Sequence, residues 1–150
     1  MHSSDRILND LIATCRDSAE GFGKAAKGAH SDQLRQQLTE IERSRAGFSD
    51  QLTQVAKDLG FKPEMTGHAG EILHRGWVDL ETRIRPESDG HLIEECRRGE
   101  EGTLKHFESA LAREEFPVNA RRLVEQQRDR IREDLAKLGN ATCSAARTSL

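Results

Sequence analysis

An internal repeat constrains the fold of this chain more than any other feature of its sequence. When residues 11–24 are aligned with residues 92–105, seven of the fourteen positions are identical. The identical residues are Leu11, Ile12, Cys15, Arg16, Glu20, Gly21 and Lys24, which recur as Leu92, Ile93, Cys96, Arg97, Glu101, Gly102 and Lys105. A looser second match aligns residues 41–45 with residues 124–128, each an apolar residue followed by Glu-x-x-Arg. The chain is therefore predicted to contain two related halves.

Each half has the pattern of two amphipathic helices joined by a short turn. Apolar residues recur at helical spacing in four long segments. The link at residues 28–30 is so short that its two helices must run antiparallel. Two hairpins with one-sided apolar stripes have to bury those stripes against each other. We therefore predict an all-α, four-helix bundle in a single domain at 1–140, with hairpins at 5–60 and 88–139, a crossover helix at 67–86 and a flexible tail at 141–150.

The helix ends are marked by capping residues and by glycines. Ser31-Asp32 and Ser88-Asp89 are predicted to start the second and third of the four long segments, because serine caps helix N-termini. Gly60 and Gly139-Asn140 are predicted to end helices. Gly21 and Gly102 lie in mid-helix at one repeat position, which predicts a close approach of two helices there.

Composition and charge exclude several classes of protein. The net charge is only −3 and basic residues are interspersed with acids, so no nucleic-acid surface is predicted. The chain has neither an apolar segment long enough for a membrane span nor a signal-peptide pattern, so we expect a cytoplasmic protein or one exported without a standard signal. The three cysteines are sparse and lack CxxC spacing. Cys15 and Cys96 are accordingly expected to be reduced thiols in the core.

Charged residues fall inside the apolar stripes near the middle of the predicted bundle. Arg45 lies within the stripe of the second long segment, Glu100 within that of the third, and Arg128 within that of the fourth. Arginine and glutamate are seldom buried unless they are paired. The sequence therefore predicts a central charge network. Its members are Glu20, Glu42, Arg45, Glu100, Glu101, Glu125 and Arg128. The alternative is that the helices are rotated slightly, so that these side chains extend along their stems to reach water.

Five short motifs point to a family. They are Leu8-Asn9-Asp10-Leu11-Ile12, Cys15-Arg16-Asp17, Glu20-Gly21-Phe22, His74-Arg75-Gly76-Trp77 and Arg98-Gly99-Glu100-Glu101. Together they resemble a bacterial family of the ferritin-like superfamily, domain of unknown function 2383, over about residues 5–138. The resemblance implies the ferritin-like fold and brings no activity with it. In that superfamily the four helices supply glutamates and two Glu-x-x-His motifs to a pair of metal ions.

The chain departs from that metal-binding pattern at decisive positions. Both Glu-x-x-His motifs are replaced, by Glu42-x-x-Arg45 and Glu125-x-x-Arg128. A guanidinium stays protonated and offers no lone pair to a metal. The first-helix ligand position is occupied by Ala19. We therefore predict that Arg–carboxylate pairs occupy the space that metals fill in relatives.

Two functional interpretations follow, and neither is excluded by the sequence. The preferred one is a metal-free bundle without cofactor or catalytic activity, which acts through self-association or a protein partner. The alternative is a di-iron carboxylate protein for iron storage or oxidation. Its candidate ligands are Glu20, Glu42, Glu100, Glu101 and Glu125. A small-ligand pocket near His74 and Trp77 is a weaker possibility than simple packing of Trp77 over the bundle.

Overall fold

Four helices make up the described part of the chain. The computed structural model describes residues 3–62, Trp77 and residues 88–148, with side chains described within 4–62, at 77 and within 88–140. The helices are α1 (Ser3–Gly28), α2 (Asp32–Asp58), α3 (Asp89–Leu111) and α4 (Val118–Thr148). These residues contain no strand, which confirms the all-α helical bundle. Of the predicted crossover helix at 67–86, all but Trp77 lies outside the described residues.

The helix starts agree with the capping residues in the sequence. Ser31 and Ser88 are the N-caps of α2 and α3, and their hydroxyl groups accept hydrogen bonds from the backbone N–H groups of Leu34 and His91. Both predicted starts are confirmed. Each cap satisfies one of the backbone N–H groups that the first helical turn leaves without a partner.

The helices pack as two neighbouring pairs. α1 lies along α2, and α3 lies along α4. The pairs meet mainly through α1 and α3, with a smaller contact between α2 and α4. The carboxylate of Asp89 joins the pairs at one end, because it accepts hydrogen bonds from the backbone N–H groups of His30 (2.8 Å) and Ser31 (2.9 Å). None of the helices described is both long and apolar enough to cross a membrane.

Two apolar clusters fill opposite ends of the bundle. The first cluster includes Leu8, Cys15, Leu52, Phe107 and Ile131. The second cluster includes Phe22, Ile41, Trp77, Cys96 and Leu138. On every helix the residues between the clusters include a buried polar side chain: Ser18 on α1, Arg45 on α2, Glu100 on α3 and Asp134 on α4. The middle of the bundle is therefore a polar layer between two apolar halves.

The last helix continues beyond its predicted end. α4 runs through Gly139 and Asn140 to Thr148, so the end predicted there was placed too early. A glycine inside a helix costs only about 1 kcal/mol relative to alanine. That cost is small enough for the helical residues on either side to offset it, so the helix continues past Gly139.

Gly60 ends α2 in a conformation that favours glycine. Its φ is +80°, its N–H donates to the carbonyl of Lys57, and the N–H of Phe61 donates to the carbonyl of Ala56. This pair of bonds is the Schellman motif. Gly60→Ala is expected to lower the free energy of unfolding by about 1 kcal/mol, because a Cβ disfavours positive φ.

Urea unfolding followed by circular dichroism measures this loss. Gly60→Asn is the matched variant, since asparagine tolerates the left-handed region better than alanine does. A loss for Asn equal to or larger than the loss for Ala would contradict the conformational explanation.

Candidate functional site

Arg45 lies at the centre of the polar layer and is completely buried. Its side chain is 0% exposed, as is that of Glu100. The Nε and Nη2 atoms of Arg45 donate to Oε1 of Glu100 at 3.3 and 3.0 Å, and Nη2 also donates to Oδ2 of Asp134 at 2.9 Å. The guanidinium also lies over the ring of Phe48, 5.1 Å from its centroid. One cation from α2 thus holds a carboxylate from α3 and another from α4. We call Arg45, Glu100 and Asp134 the charged layer.

Asp134 was missed by the analysis of the sequence. It is 2% exposed and lies on the buried face of α4. The half-exposed Arg130, one turn earlier on the same helix, also donates to it at 3.3 Å. The spacing of residues along α4 could have predicted the burial of Asp134, because the buried residues of this helix are separated alternately by three and four positions. They are Val124, Gln127, Ile131, Asp134 and Leu138.

Arg128 does not occupy the buried position predicted for it. Its side chain is 23% exposed, and its Nε donates to Oδ1 of the adjacent Asp129 at 3.1 Å. The reason is that α4 is rotated about its axis relative to the predicted orientation, so that Gln127 rather than Arg128 lies in the core. A shift of one residue turns a side chain by about 100° around a helix. The expectation that the two repeated arginines lie alike in the core is thus corrected for Arg128.

The other predicted acids are spread over the surface and the margins of the bundle. Glu20 is exposed and pairs with Lys24 at 3.0 Å, and exposed Glu101 lies 4.0 Å from Arg97. Glu42 and Glu125 are half-buried. Of the seven residues predicted for the network, the structure therefore joins Arg45 and Glu100.

Burial alters the acid–base properties of Glu100. Removal from water raises its pKa to about 7, the Arg45 guanidinium opposes this rise, and Asp134 adds to it. Its second oxygen, Oε2, is buried and has no hydrogen-bond partner among the described residues. The carboxyl group is thus bonded to Arg45 through one oxygen only.

The two repeated cysteines are free and buried, which confirms the expectation of core thiols. Burial raises the pKa of Cys15 to about 12, and it also raises the pKa of Cys96. The nearby charge of Glu100 raises both further, while Arg45 partly lowers that of Cys15. Because the thiolate is the reactive form, neither cysteine has the properties of a nucleophile.

Trp77 is inserted between two helices. A Cβ atom built on Gly21 of α1 would lie 2.2 Å from the indole, and one built on Gly99 of α3 would lie 2.4 Å from it. The ring is 5% exposed and contacts Phe22 with centroids 5.2 Å apart. The close approach predicted at Gly21 is therefore to an indole rather than to another helix. His74, its predicted neighbour in a pocket, lies outside the described residues.

Comparison with protein families places the chain in one of them. A family model described as Domain of unknown function (DUF2383) matches residues 5–113. The chain belongs to the DUF2383 family. No curated protein matches the chain. The family match covers α1, α2 and α3 together with Arg45 and Glu100, but it ends before α4 and is shorter than the expected resemblance to residue 138.

The carboxylates that the structure describes in this DUF2383 member are not arranged as the ligands of a di-metal centre. Within the described residues, no group of three or more His, Cys, Asp or Glu side chains is arranged to hold a metal. The candidate ligands Glu20 and Glu101 are exposed, whereas Glu100 is buried and bonded to Arg45. A metal at the middle of the bundle would have to displace or tolerate a guanidinium already bonded to two carboxylates.

A charged groove runs along the surface between α1 and α2. Its volume is about 420 Å³. Its lining includes three cationic and two anionic side chains. They are Lys24, Lys27, Arg35, Glu20 and Glu42. This arrangement suits a ligand that carries charges of both signs.

Proposed function

We propose that this chain is a non-catalytic, metal-free bundle of the ferritin-like type, with a crossover between two related hairpins, and that it acts through its surface by self-association or by binding a protein partner. The observation that carries the proposal is the buried Arg45, whose guanidinium binds Glu100 and Asp134 at the middle of the bundle. In ferritin-like proteins this level of the bundle holds two metal ions. Here a protonated side chain takes that place.

The chemistry of the charged layer supports a structural role for it. A guanidinium that donates hydrogen bonds to two carboxyl groups bonds both of them without any ligand from solution. Removing one member of such a group leaves an uncompensated charge, which strongly disfavours any rearrangement that opens the centre. The layer therefore acts as a fixed brace between α2, α3 and α4.

The chemistry of the thiols supports the lack of catalysis. The buried Cys15 and Cys96 have raised pKa values, so they stay protonated at neutral pH. A nucleophile would need a base within hydrogen-bond reach. Neither thiol has the lowered pKa that such a base or a nearby cation confers on a reactive cysteine.

The charged groove on the surface supports the proposal of a protein partner. The groove between α1 and α2 presents Lys24, Lys27 and Arg35 beside two glutamates. Protein interfaces use such complementary charges to select partners and to speed association. A segment with both acidic and basic residues, from a second copy or from another protein, is the class of ligand that this groove fits.

Metal analysis tests the proposal first. Protein purified without chelators or an affinity tag is expected to hold well below one iron, manganese or zinc ion per chain, by elemental mass spectrometry. Anaerobic titration with ferrous iron followed by exposure to air is expected to give no near-ultraviolet oxidation band. The reason is the guanidinium of Arg45, which repels a cation from the two acids that it binds.

Two further results decide the matter. Close to two metals per chain, lost in Glu100→Ala, would overturn the proposal in favour of the di-iron alternative.

Light scattering coupled to size exclusion then tests self-association. A dimer weakened by Lys24→Glu and Lys27→Glu, but not by the exposed Lys105→Glu, is the expected result for groove-mediated association. A monomer directs the search to a protein partner.

A further inference from the structure

We propose that the occupant of the charged groove between α1 and α2 is the same groove of a second copy of this chain, docked in the reverse direction. This inference rests on the proposed function, because it names the partner that the groove binds. The two copies are related by a two-fold axis through the middle of the groove, between Gly23 and Thr39. In such a pair every contact occurs twice, since the same surface lies on both sides.

The charges of the groove are separated along its length. Glu20 and Lys27 are seven residues apart on α1, and Arg35 and Glu42 are seven residues apart on α2. Seven residues make about two helical turns, or roughly 10 Å, so the members of each pair lie on one helix face. Because α1 and α2 are antiparallel, Lys27 and Arg35 form a cationic end beside the connecting turn. Glu20 and Glu42 form an acidic end nearer the middle of the bundle.

Two contacts support this register of the helices. The Nη2 atom of Arg35 donates to the backbone carbonyl of Ala29, in the connecting turn, at 2.8 Å. A Cβ atom built on Gly23 would lie 3.0 Å from the carboxylate of Glu42. This acid therefore lies beside the turn of α1 that follows Glu20. The cationic end and the acidic end are thus parts of one continuous groove.

Side chains of like charge lie together at each end of the groove, and such neighbours repel unless opposite charges approach them. Each end has one counter-charge within the chain. Lys24 lies 3.0 Å from Glu20, and the exposed Asp32 lies 3.0 Å from Arg35. The other cation and the other glutamate form no ion pair in the part of the chain that the structure describes. A second copy in the reverse direction places the cationic end of each chain on the acidic end of the other.

The groove is open because Gly23 has no side chain. The internal repeat places Leu104 at the corresponding position, where its partly buried side chain packs against the first apolar cluster. A leucine in place of Gly23 would fill the space beside Glu42. The bare backbone of a glycine lets another chain approach closely. The opening therefore arises from a difference between the two related halves.

Reversal of the charges at one end tests the reverse orientation. Lys27→Glu with Arg35→Glu makes both ends acidic, and Glu20→Lys with Glu42→Lys makes both ends basic. Each double variant alone is expected to raise the dissociation constant of the dimer by about tenfold or more, since like charges then face each other. An equimolar mixture of the two variants is expected to restore the wild-type constant, because every facing pair is opposite again.

A matched control and a change of shape complete the test. Glu101→Lys with Glu108→Lys reverses two exposed acids of α3, with the same change in net charge as the variant at Glu20 and Glu42. This control is expected to keep the wild-type constant. Gly23→Leu copies the repeat partner and is expected to prevent association by filling the groove. Circular dichroism checks that its helix content is unchanged.

Sedimentation velocity over a concentration series at low ionic strength gives the dissociation constants. A monomeric wild type, a mixture of charge variants that does not associate, or a Gly23→Leu variant that associates like the wild type would overturn the inference. Elemental analysis of the same samples distinguishes this failure from that of the proposed function. A metal-filled centre refutes the proposed function, whereas a metal-free monomer refutes only the second copy as the partner.

Discussion

Arg45→Met is expected to lower the free energy of unfolding by about 3–5 kcal/mol, the largest loss that we expect from a single substitution in this chain. Methionine fills much of the same space but leaves Glu100 and Asp134 buried without their shared cation. Guanidinium chloride screens charge, so urea unfolding at neutral pH is the appropriate measurement. An unchanged dependence on urea concentration would show that the loss belongs to the folded state.

The internal repeat supplies a matched control. Arg128 is the repeat partner of Arg45, but it is 23% exposed and bonded to Asp129. Arg128→Met is therefore expected to cost less than about 1 kcal/mol. Replacing all three residues of the charged layer by apolar side chains should recover most of the stability lost in Arg45→Met, because no buried charge then remains. Similar losses for the two single variants would refute the buried position of Arg45.

Gly99→Ala and Gly21→Ala are each expected to cost about 2–3 kcal/mol, at the upper end of the range for overpacked cores. The new methyl group would lie 2.4 Å or 2.2 Å from the indole of Trp77, so the ring or a helix must move. Trp77 is the only tryptophan in the chain. Its fluorescence emission is therefore expected to shift to longer wavelength in both variants as the buried ring is displaced toward water.

Gly47→Ala in α2 is the control for these two variants. Nothing lies within 4 Å of the Cβ that it introduces. This substitution is expected to raise stability by up to about 1 kcal/mol through helix propensity and to leave the fluorescence unchanged. Wild-type emission and stability in Gly99→Ala would contradict the insertion of Trp77 between α1 and α3.

The helices were predictable because their signals are local. The N-caps Ser31 and Ser88 and the glycine end of α2 depend on residues within one turn, and the structure confirms them. The end of α4 was predicted wrongly. Gly139-Asn140 is a local sequence pattern typical of a helix end, but the helix continues through it to Thr148. Capping preferences of about 1 kcal/mol are weak enough for this to happen.

The central residues were only partly predictable. Arg45 lies in a stripe that runs from Leu34 to Leu52 and is apolar apart from Arg45 itself and Ser49, so the face that it occupies could be predicted from the sequence. The stripe of α4 contains Gln127 and Asp134 as well as apolar residues. The prediction took Leu135 rather than Asp134 as a core residue. This places the predicted orientation of α4 about 100° from the observed one, with Arg128 buried and Asp134 exposed.

The sequence by itself determined that this chain forms amphipathic helices, where most of them start and end, and that charge is placed among their apolar stripes. Those properties depend on periodicity and on neighbours within a turn. The tertiary structure decided which carboxylates Arg45 binds, which oxygen of Glu100 is used, and that an indole separates α1 from α3 at Gly21 and Gly99. The contacts of Arg45 join residues 55 and 89 positions apart in the chain, and all of these contacts exist only once four helices have taken up fixed rotations and heights relative to one another.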